Sequence, residues 1–416
     1  MINVGLPFVS ITSNIENTLL FSWFILMLTE LTAEAFSRLC TDLGVEGLTQ
    51  DAFSPNADTD PDKWRGVIQE APRNLLEVHK IVWENNSHLL KDVIALDPKY
   101  VVGLIEAEGC FSVYPVGSTI KIMEEFTLAL HPVDDQIIRS LRAFFGVGVV
   151  KRKRDKSIFT VDSSWQLHYV IIPFIEQHSL IGLKRRDFLI LKEIVYIKTQ
   201  TGWLRSPKTR NLTKYWIVRI VYMLAEVTET RERTRSLEDI RSILNVKDTG
   251  LPVEFFSYVI VWWFLCSLTQ YVKPSPLYVT GFCEGDGGST VSVLPNKIVH
   301  TYNIGASQEG IIEMLKAYFG CGRIYKVNLS NQGATKDHWR LLINSREELR
   351  LIDTNHFSKF PLLGKENKKK HYDCLITLLT AVENNEHLDP SKRQLLFSMC
   401  YAINREGRFR RTEGPP

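Results

Sequence analysis

One nine-residue stretch occurs twice in this chain, as VVGLIEAEG at 101–109 and as VTGFCEGDG at 279–287. Each is an apolar run with glycine at its third place and a small residue four further on, and each ends in an acid followed by glycine. On a helix, Gly103 and Ala107 share one face, as do Gly281 and Gly285, so each stretch offers a bare ridge along which a second backbone can come close. Gly109 and Gly287 read as helix stops. Glu108 and Asp286 then fall in the last turns, side by side where the two helices cross. Packing alone does not ask for this. A carboxylate at a helix C-terminus opposes the dipole at roughly 0.3–1 kcal/mol, and two neighbouring carboxylates repel unless one takes up a proton or a cation joins them. Converging hard oxygens suit a divalent metal that keeps places for water and phosphate.

The residues beyond each stretch repeat as well. After the first come a strand pair (CFSVYPVG, then TIKIMEEFTLALH), an amphipathic helix ending at Gly146, a hairpin at 147–163, and two helices joined by a loop. In the first pair Phe126, Leu128 and Leu130 alternate with Glu125, Thr127 and Ala129, the pattern of a half-buried strand. After the second come STVSVLPNKIVHTYNIGASQ, a helix at 309–320 that also ends in glycine, a hairpin, and a closing loop and helix. Glu108 lies 38 residues before Gly146, and Asp286 lies 34 before Gly320. An internal repeat with matched offsets specifies far more than either nonapeptide. The order α-β-β-α-β-β-α, twice, predicts an α+β fold: two pseudo-twofold-related repeats, each a four-stranded antiparallel sheet backed by helices. Four segments result: an N-terminal extension at 1–95, a first repeat at 97–200, a linker or insert with helices at 201–275, and a second repeat at 276–416.

Charge is distributed unevenly over this layout. The net charge is only +3, but residues 1–95 hold 6 Lys and Arg against 13 Asp and Glu, leaving 44 against 34 for the remainder. The basic part carries both nonapeptides, which leans toward a polyanionic partner. Hairpin tips concentrate the basic residues: Lys151, Arg152, Lys153, Arg154 and Lys156 in the first repeat, and Arg323, Lys326, Lys336 and Arg340 in the second. By themselves these tips read equally as solvated turns. Seven scattered cysteines without CxxC or zinc spacing read as reduced thiols. The first basic residue is Arg38, so neither a secretory nor an arginine-rich transit signal is expected. The apolar run at 19–28 is too short to span a bilayer, and the longer one at 255–268 reads either as a buried linker helix or as a membrane contact. The acidic extension carries no legible chemistry. It reads as a fused exon, an accessory domain or a dispensable tail.

The paired nonapeptides and the repeat behind them, over residues 97–416, resemble the LAGLIDADG homing endonucleases in their single-chain, two-repeat form. That resemblance implies a saddle of two sheets lying on double-stranded DNA and a monomeric enzyme that cuts both strands at one site. It implies that Glu108 and Asp286 hold divalent metal, Mg²⁺ or Mn²⁺, with the backbone carbonyls of Ala107 and Gly285 as accessory ligands. Lys184, in LIGLKRRDF, resembles the family's loop lysine beside the reacting water, although a surface lysine at a helix start would look the same. Gln308 resembles a polar residue that organises water, with Leu130 or His131 as its first-half counterpart. Lys370 would match Lys184 if the longer loop GKENKKKHYD aligns. Glu108 stands where the family name has Asp, which a longer carboxylate tolerates. Glu106 and Glu284 would face away from the metal and cap or bridge locally. The resemblance also implies a reading frame within an intron, in a mitochondrion or alternatively a chloroplast. The competing readings are a maturase that binds host intron RNA on the same saddle, and a DNA-binding relic that no longer cuts.

Overall fold

A computed structural model of the chain describes residues 93–182, 184–200, 207–228, 236–247, 273–294, 297–327, 338–365 and 367–404. The extension (apart from its last residues), the apolar run at 255–268 and Lys336 lie outside the described residues. The first repeat begins with α1 (Pro98–Glu108), which runs straight into β1 (Gly109–Val116). Next in order are β2 (Lys121–Leu130), α2 (Asp135–Phe145), β3 (Val149–Arg152), β4 (Ser157–Val161), a π-helical turn leading into α3 (Ile172–His178), and α4 (Lys184–Gln200). Two helices, α5 (Pro207–Thr228) and α6 (Leu237–Leu244), follow in the segment between the repeats. The second repeat comprises α7 (Pro276–Asp286), β5 (Gly287–Leu294), β6 (Lys297–Ala306), α8 (Glu309–Phe319), β7 (Arg323–Val327), β8 (His338–Ile343), α9 (Arg346–Ile352), α10 (Lys368–Glu383) and α11 (Pro390–Asn404). Among the described residues no helix is long and apolar enough to cross a membrane.

Both sheets are four-stranded and antiparallel with the same topology, β1-β2-β4-β3 and β5-β6-β8-β7. Register obeys the alternation in the sequence. Ile122, Phe126, Leu128 and Leu130 of β2 are buried on the helix side, while Met123, Glu125, Thr127 and Ala129 occupy the other face and are only partly covered. Aromatic rings fill the space under each sheet. Phe145 of α2 stacks on Phe159 of β4 at 5.8 Å in the first repeat, and Tyr302 of β6 meets Phe357 at 5.2 Å and Tyr372 of α10 at 5.5 Å in the second. A buried charge on β2 interrupts the first core. Glu124 on β2 is paired with Lys198 of α4 and accepts a hydrogen bond from the Ser164 hydroxyl, which fastens the end of α4 to the sheet. A buried His300 holds the corresponding place on β6.

The two nonapeptide helices lie side by side and parallel. Each opens on a side-chain cap with proline at the first helical position, where a missing N–H is harmless: Asp97 accepts the Lys99 N–H at 2.7 Å, and Ser275 accepts the Tyr278 N–H at 3.2 Å. Their contact is backbone on backbone. A Cβ placed on Gly103 would lie 1.9 Å from the Tyr278 carbonyl oxygen, and one on Gly281 would lie 2.0 Å from that of Tyr100. The helices end differently from the sequence expectation. Gly109 and Gly287 have extended backbone (φ −67° and −78°), not the left-handed stop seen at Gly146 and Gly320, both at φ 70°. Here glycine is needed for space. The chain turns from helix into strand within one residue, and a Cβ would stand 2.6 Å from the Ile105 carbonyl oxygen in one case and 2.5 Å from that of Cys283 in the other.

Because backbone faces each ridge, no side-chain rotation can relieve a methyl group added there. Gly103→Ala or Gly281→Ala is expected to lower unfolding free energy by about 3 kcal/mol, at the upper end of the usual overpacking cost. Chemical denaturation checks this; an unchanged midpoint would contradict the backbone contact.

Candidate active site

Glu108 and Asp286 are the last residues of α1 and α7, so the glycine contact that joins the helices also joins the acids. A Cβ on Gly285 would lie 2.7 Å from Glu108 Cγ and 2.6 Å from Ala107 Cβ; the stem of Glu108 rests on the bare end of the opposing helix. Burial raises the Glu108 carboxyl above the ordinary carboxylate range, offset in part by Lys184 and Lys368. Burial, and then the charge of Glu108, pushes Asp286 up to about 7, again with both lysines opposing. Two partly desolvated carboxylates therefore face each other across the helix contact.

The two lysines occupy matching places. Lys184 is the first residue of α4 and turns inward, its ammonium donating to the carbonyl of Ala107 and, at 3.4 Å, to that of Ile105. Lys368 is the first residue of α10 and donates to the carbonyl of Gly287. Each thus brings positive charge to the C-terminal end of a nonapeptide helix, where carbonyls lack helical partners. The partner of Lys184 is therefore Lys368 rather than Lys370, which is exposed two residues further on. Lys184–Asp187 and Lys370–Asp373 share a Lys-x-x-Asp spacing, but that match is off by two residues, and the two helix starts are what correspond.

Glu106 and Glu284 do not cap locally. They reach loops some 75 to 80 residues ahead: Glu106 accepts the N–H groups of Ile181 at 2.7 Å and Gly182 at 3.1 Å, and Glu284 those of Leu363 at 2.6 Å and Gly364 at 3.1 Å. Gln308 precedes α8 and lies against the first of these loops, its amide 3.0–3.2 Å from where a Gly182 Cβ would be. Its counterpart is Asp134, the residue before α2, which lies against Gly364. Leu130 and His131 precede that position because the turn Pro132–Asp134 is interposed between β2 and α2. The Cys283 thiol is fully buried and pushed up to about 12 by burial, which removes it as a nucleophile.

On the uncovered face of the first sheet lie Lys121, Met123, Glu125 and Thr127 of β2 and Lys151 of β3. Arg152 has the opposite parity at the sheet edge, and Lys153, Arg154 and Lys156 form the exposed turn. In the second sheet Arg323, Tyr325 and Arg340 share the uncovered face with Thr301 and Asn303. Lys326 falls on the other face, its ammonium 5.5 Å over the Trp339 ring.

Among the described residues no group of three or more His, Cys, Asp or Glu side chains gathers to hold a metal. The site instead offers two carboxylates with raised affinity for positive charge and the neighbouring carbonyls of Gly285 and of Ala107, the latter already accepting from Lys184. That donor set fits a small hard divalent ion which retains waters of its own.

The sequence profile of the LAGLIDADG endonucleases matches residues 101–195. The chain is 23% identical over 305 residues to the probable intron-encoded endonuclease 2 of Neurospora crassa, covering 70% of this chain and 62% of that protein; it thus spans less than two thirds of that relative's length. The fold matches crystal structures of the I-SmaMI LAGLIDADG homing endonuclease. Bound to cleaved DNA, that enzyme superposes with TM-score 0.58 at 21% identity, covering 76% of this chain and 98% of I-SmaMI. Bound to uncleaved target in the presence of calcium ions, it superposes with TM-score 0.55 at 20% identity, covering 74% and 99%.

The raised carboxyls make stability depend on pH. Between pH about 4 and about 7 the folded chain holds a proton on Asp286 that the unfolded chain has released, so the stabilisation is complete below this window and is lost as pH rises through it. In EDTA the native chain is expected to lose on the order of 2 kcal/mol more than Asp286→Asn between pH 4.5 and 7.5. Parallel profiles for the two proteins would contradict the account of the pair.

Proposed function

We propose that the chain is a LAGLIDADG endonuclease of the two-repeat, single-chain form and, on that premise, a site-specific homing endonuclease that hydrolyses one phosphodiester in each strand of a long DNA target. The observation that carries this reading is the carboxylate pair held against the bare end of the opposing helix, with one lysine for each acid. An arrangement selected for packing has no use for two mutually repelling acids at helix C-termini. The one-sheet-face exposure of Lys121, Lys151, Arg323 and Arg340 supports contact with a duplex, since twisted strands fit the major groove and alternate side chains reach base edges or phosphates.

In this mechanism Glu108 and Asp286 would hold Mg²⁺ or Mn²⁺, with the Ala107 and Gly285 carbonyls as accessory donors. When bound, such an ion polarises a phosphate oxygen and makes water a better nucleophile. The chain supplies the rest. The uncovered sheet faces fix the duplex so that one phosphate of each strand meets one acid. Lys184 and Lys368 offset the charge that develops on the phosphates and orient solvent in a site already shielded from bulk water. Gln308 sits too close to the Gly182 loop to be separated from the placement of Lys184. The relative named as intron-encoded supports the same genetic setting here, in which the protein promotes mobility of its own host intron; on this reading that intron is mitochondrial, in keeping with a match encoded in an ND4 intron of Podospora anserina.

The test uses a plasmid that carries the uninterrupted host sequence, with Mg²⁺. The native chain is expected to cut both strands at one site. Glu108→Gln and Asp286→Asn are expected to lower the rate by about 100-fold or more while DNA binding persists. Lys368→Ala should cost on the order of 10-fold to 100-fold, whereas Lys370→Ala stays within about 2-fold of native. Tight binding without cutting by the native chain would favour a relic, and faster splicing of the intron RNA without any cutting would favour a maturase.

A further inference from the structure

Glu106 and Glu284 are buried carboxylates in the signature helices, and the cleavage mechanism gives them nothing to do. Both spend their charge on backbone. Each accepts two successive N–H groups from the loop that leads into a lysine helix: Ile181 and Gly182 before Lys184, Leu363 and Gly364 before Lys368. The approach requires glycine in both loops. A Cβ on Gly182 would stand 2.7 Å from Glu106 Oε1, and one on Gly364 2.7 Å from Glu284 Oε1. Packing does not call for these acids, because an apolar side chain would bury at lower cost. A carboxylate receiving two amide hydrogens does what an apolar group cannot, which is to fix the height and direction of the loop it holds.

We infer that Glu106 and Glu284 are positioning residues, each setting the place of one lysine and through it the cleavage of one DNA strand, and that the second of them is held from the opposite repeat. This rests on the endonuclease reading of the same site. The cross-connection is direct. Tyr100, in the first repeat, donates its hydroxyl hydrogen to Glu284 Oε2 at 3.2 Å. Asp134, also in the first repeat, accepts from Asn367 Nδ2 at 2.7 Å, one residue before Lys368. At the mirror position Tyr278, in the second repeat, lies against Glu106, and each influences the other's ionisation. A neutral Gln308 stands where the other loop has Asp134. The lysine of the second repeat is thus tied into the first repeat by a tyrosine and a carboxylate.

The experiment tracks nicking and linearisation of supercoiled target plasmid, with each strand end-labelled. Four variants are compared with the native chain: Glu106→Ala, Glu284→Ala, Glu106→Gln and Tyr100→Phe. Glu106→Ala is expected to slow one strand by about 10-fold or more and leave the other within about 2-fold, so that nicked circles accumulate. Glu284→Ala should do the same to the opposite strand. Tyr100→Phe, although in the first repeat, should slow the strand that Glu284→Ala slows. Glu106→Gln, which keeps one acceptor oxygen, should recover part of the lost rate. Equal slowing of both strands by each variant, or Tyr100→Phe siding with Glu106→Ala, would overturn the inference. Amide hydrogen exchange on the same variants gives a readout apart from cutting. Loss of Glu106 should speed exchange at 181 and 182 by about 10-fold or more relative to the rest of the chain, and unchanged exchange there would refute the clamp even if cleavage were altered. If the native chain does not cut, the endonuclease reading and the strand assignment fall together, while the exchange result still decides whether these acids hold the loops.

Discussion

The contact of Gly103 with the Tyr278 carbonyl, and of Gly281 with that of Tyr100, is the constraint on which the rest depends. Two helices packed through side chains stand 8–10 Å apart; two packed through bare ridges come closer and allow little slack. Everything at their C-terminal ends inherits that precision. Glu108 and Asp286 cannot separate without breaking the ridge contact. Gly109 and Gly287 must pass directly into strands, so each sheet is joined to the helix pair without a loop that could flex. The position of the acids relative to both sheets is therefore built into two glycine pairs.

Closeness creates an electrostatic problem that the surrounding residues answer in layers. The acids repel and are desolvated, which raises both carboxyls. Lys184 and Lys368 enter from the first residues of two later helices and place ammonium groups on the carbonyls around the acids. Those lysines would be expensive to bury unaided, and burial does lower the Lys184 ammonium, against the pull of Glu106, Asp286 and Glu108. Glu106 and Glu284 then hold the loops from which the lysines come. The site is a nest of opposed charges in which each layer is tolerable only because of the next, as expected where geometry is set for chemistry rather than stability.

Much of this was legible in the sequence because it depends on short-range rules. Period-two alternation in TIKIMEEFTLALH gave the strand and its faces, glycine spacing gave the helix ridge, and acid placement gave the pair. The features that escaped depended on distance along the chain. The link from Glu106 to Ile181 spans 75 residues and has no local mark. The register of Lys368 is hidden by a run of three lysines that follows a loop longer than its first-repeat equivalent, where Lys370 also matches Lys184 in its spacing to an aspartate. Asp134 went unrecognised because the turn Pro132–Asp134 shifts the first repeat against the second at that point. Gly109 and Gly287 mark helix ends in the sequence, but a sequence shows only that glycine is present and not whether conformation or space demands it.

The most direct test of the central claim joins the glycine contact to the metal chemistry. Mn²⁺ binding to the protein on its target duplex can be monitored by the loss of the free-ion paramagnetic resonance signal, for the native chain, Glu108→Gln, Asp286→Asn and Gly103→Ala. The account requires tight binding by the native complex, its loss in either carboxylate variant, and a weakening by about 10-fold or more in Gly103→Ala, where nothing has changed except the spacing of the helices. Undiminished Mn²⁺ binding in Gly103→Ala, with the protein folded and on its DNA, would show that the ridge contact does not set the site.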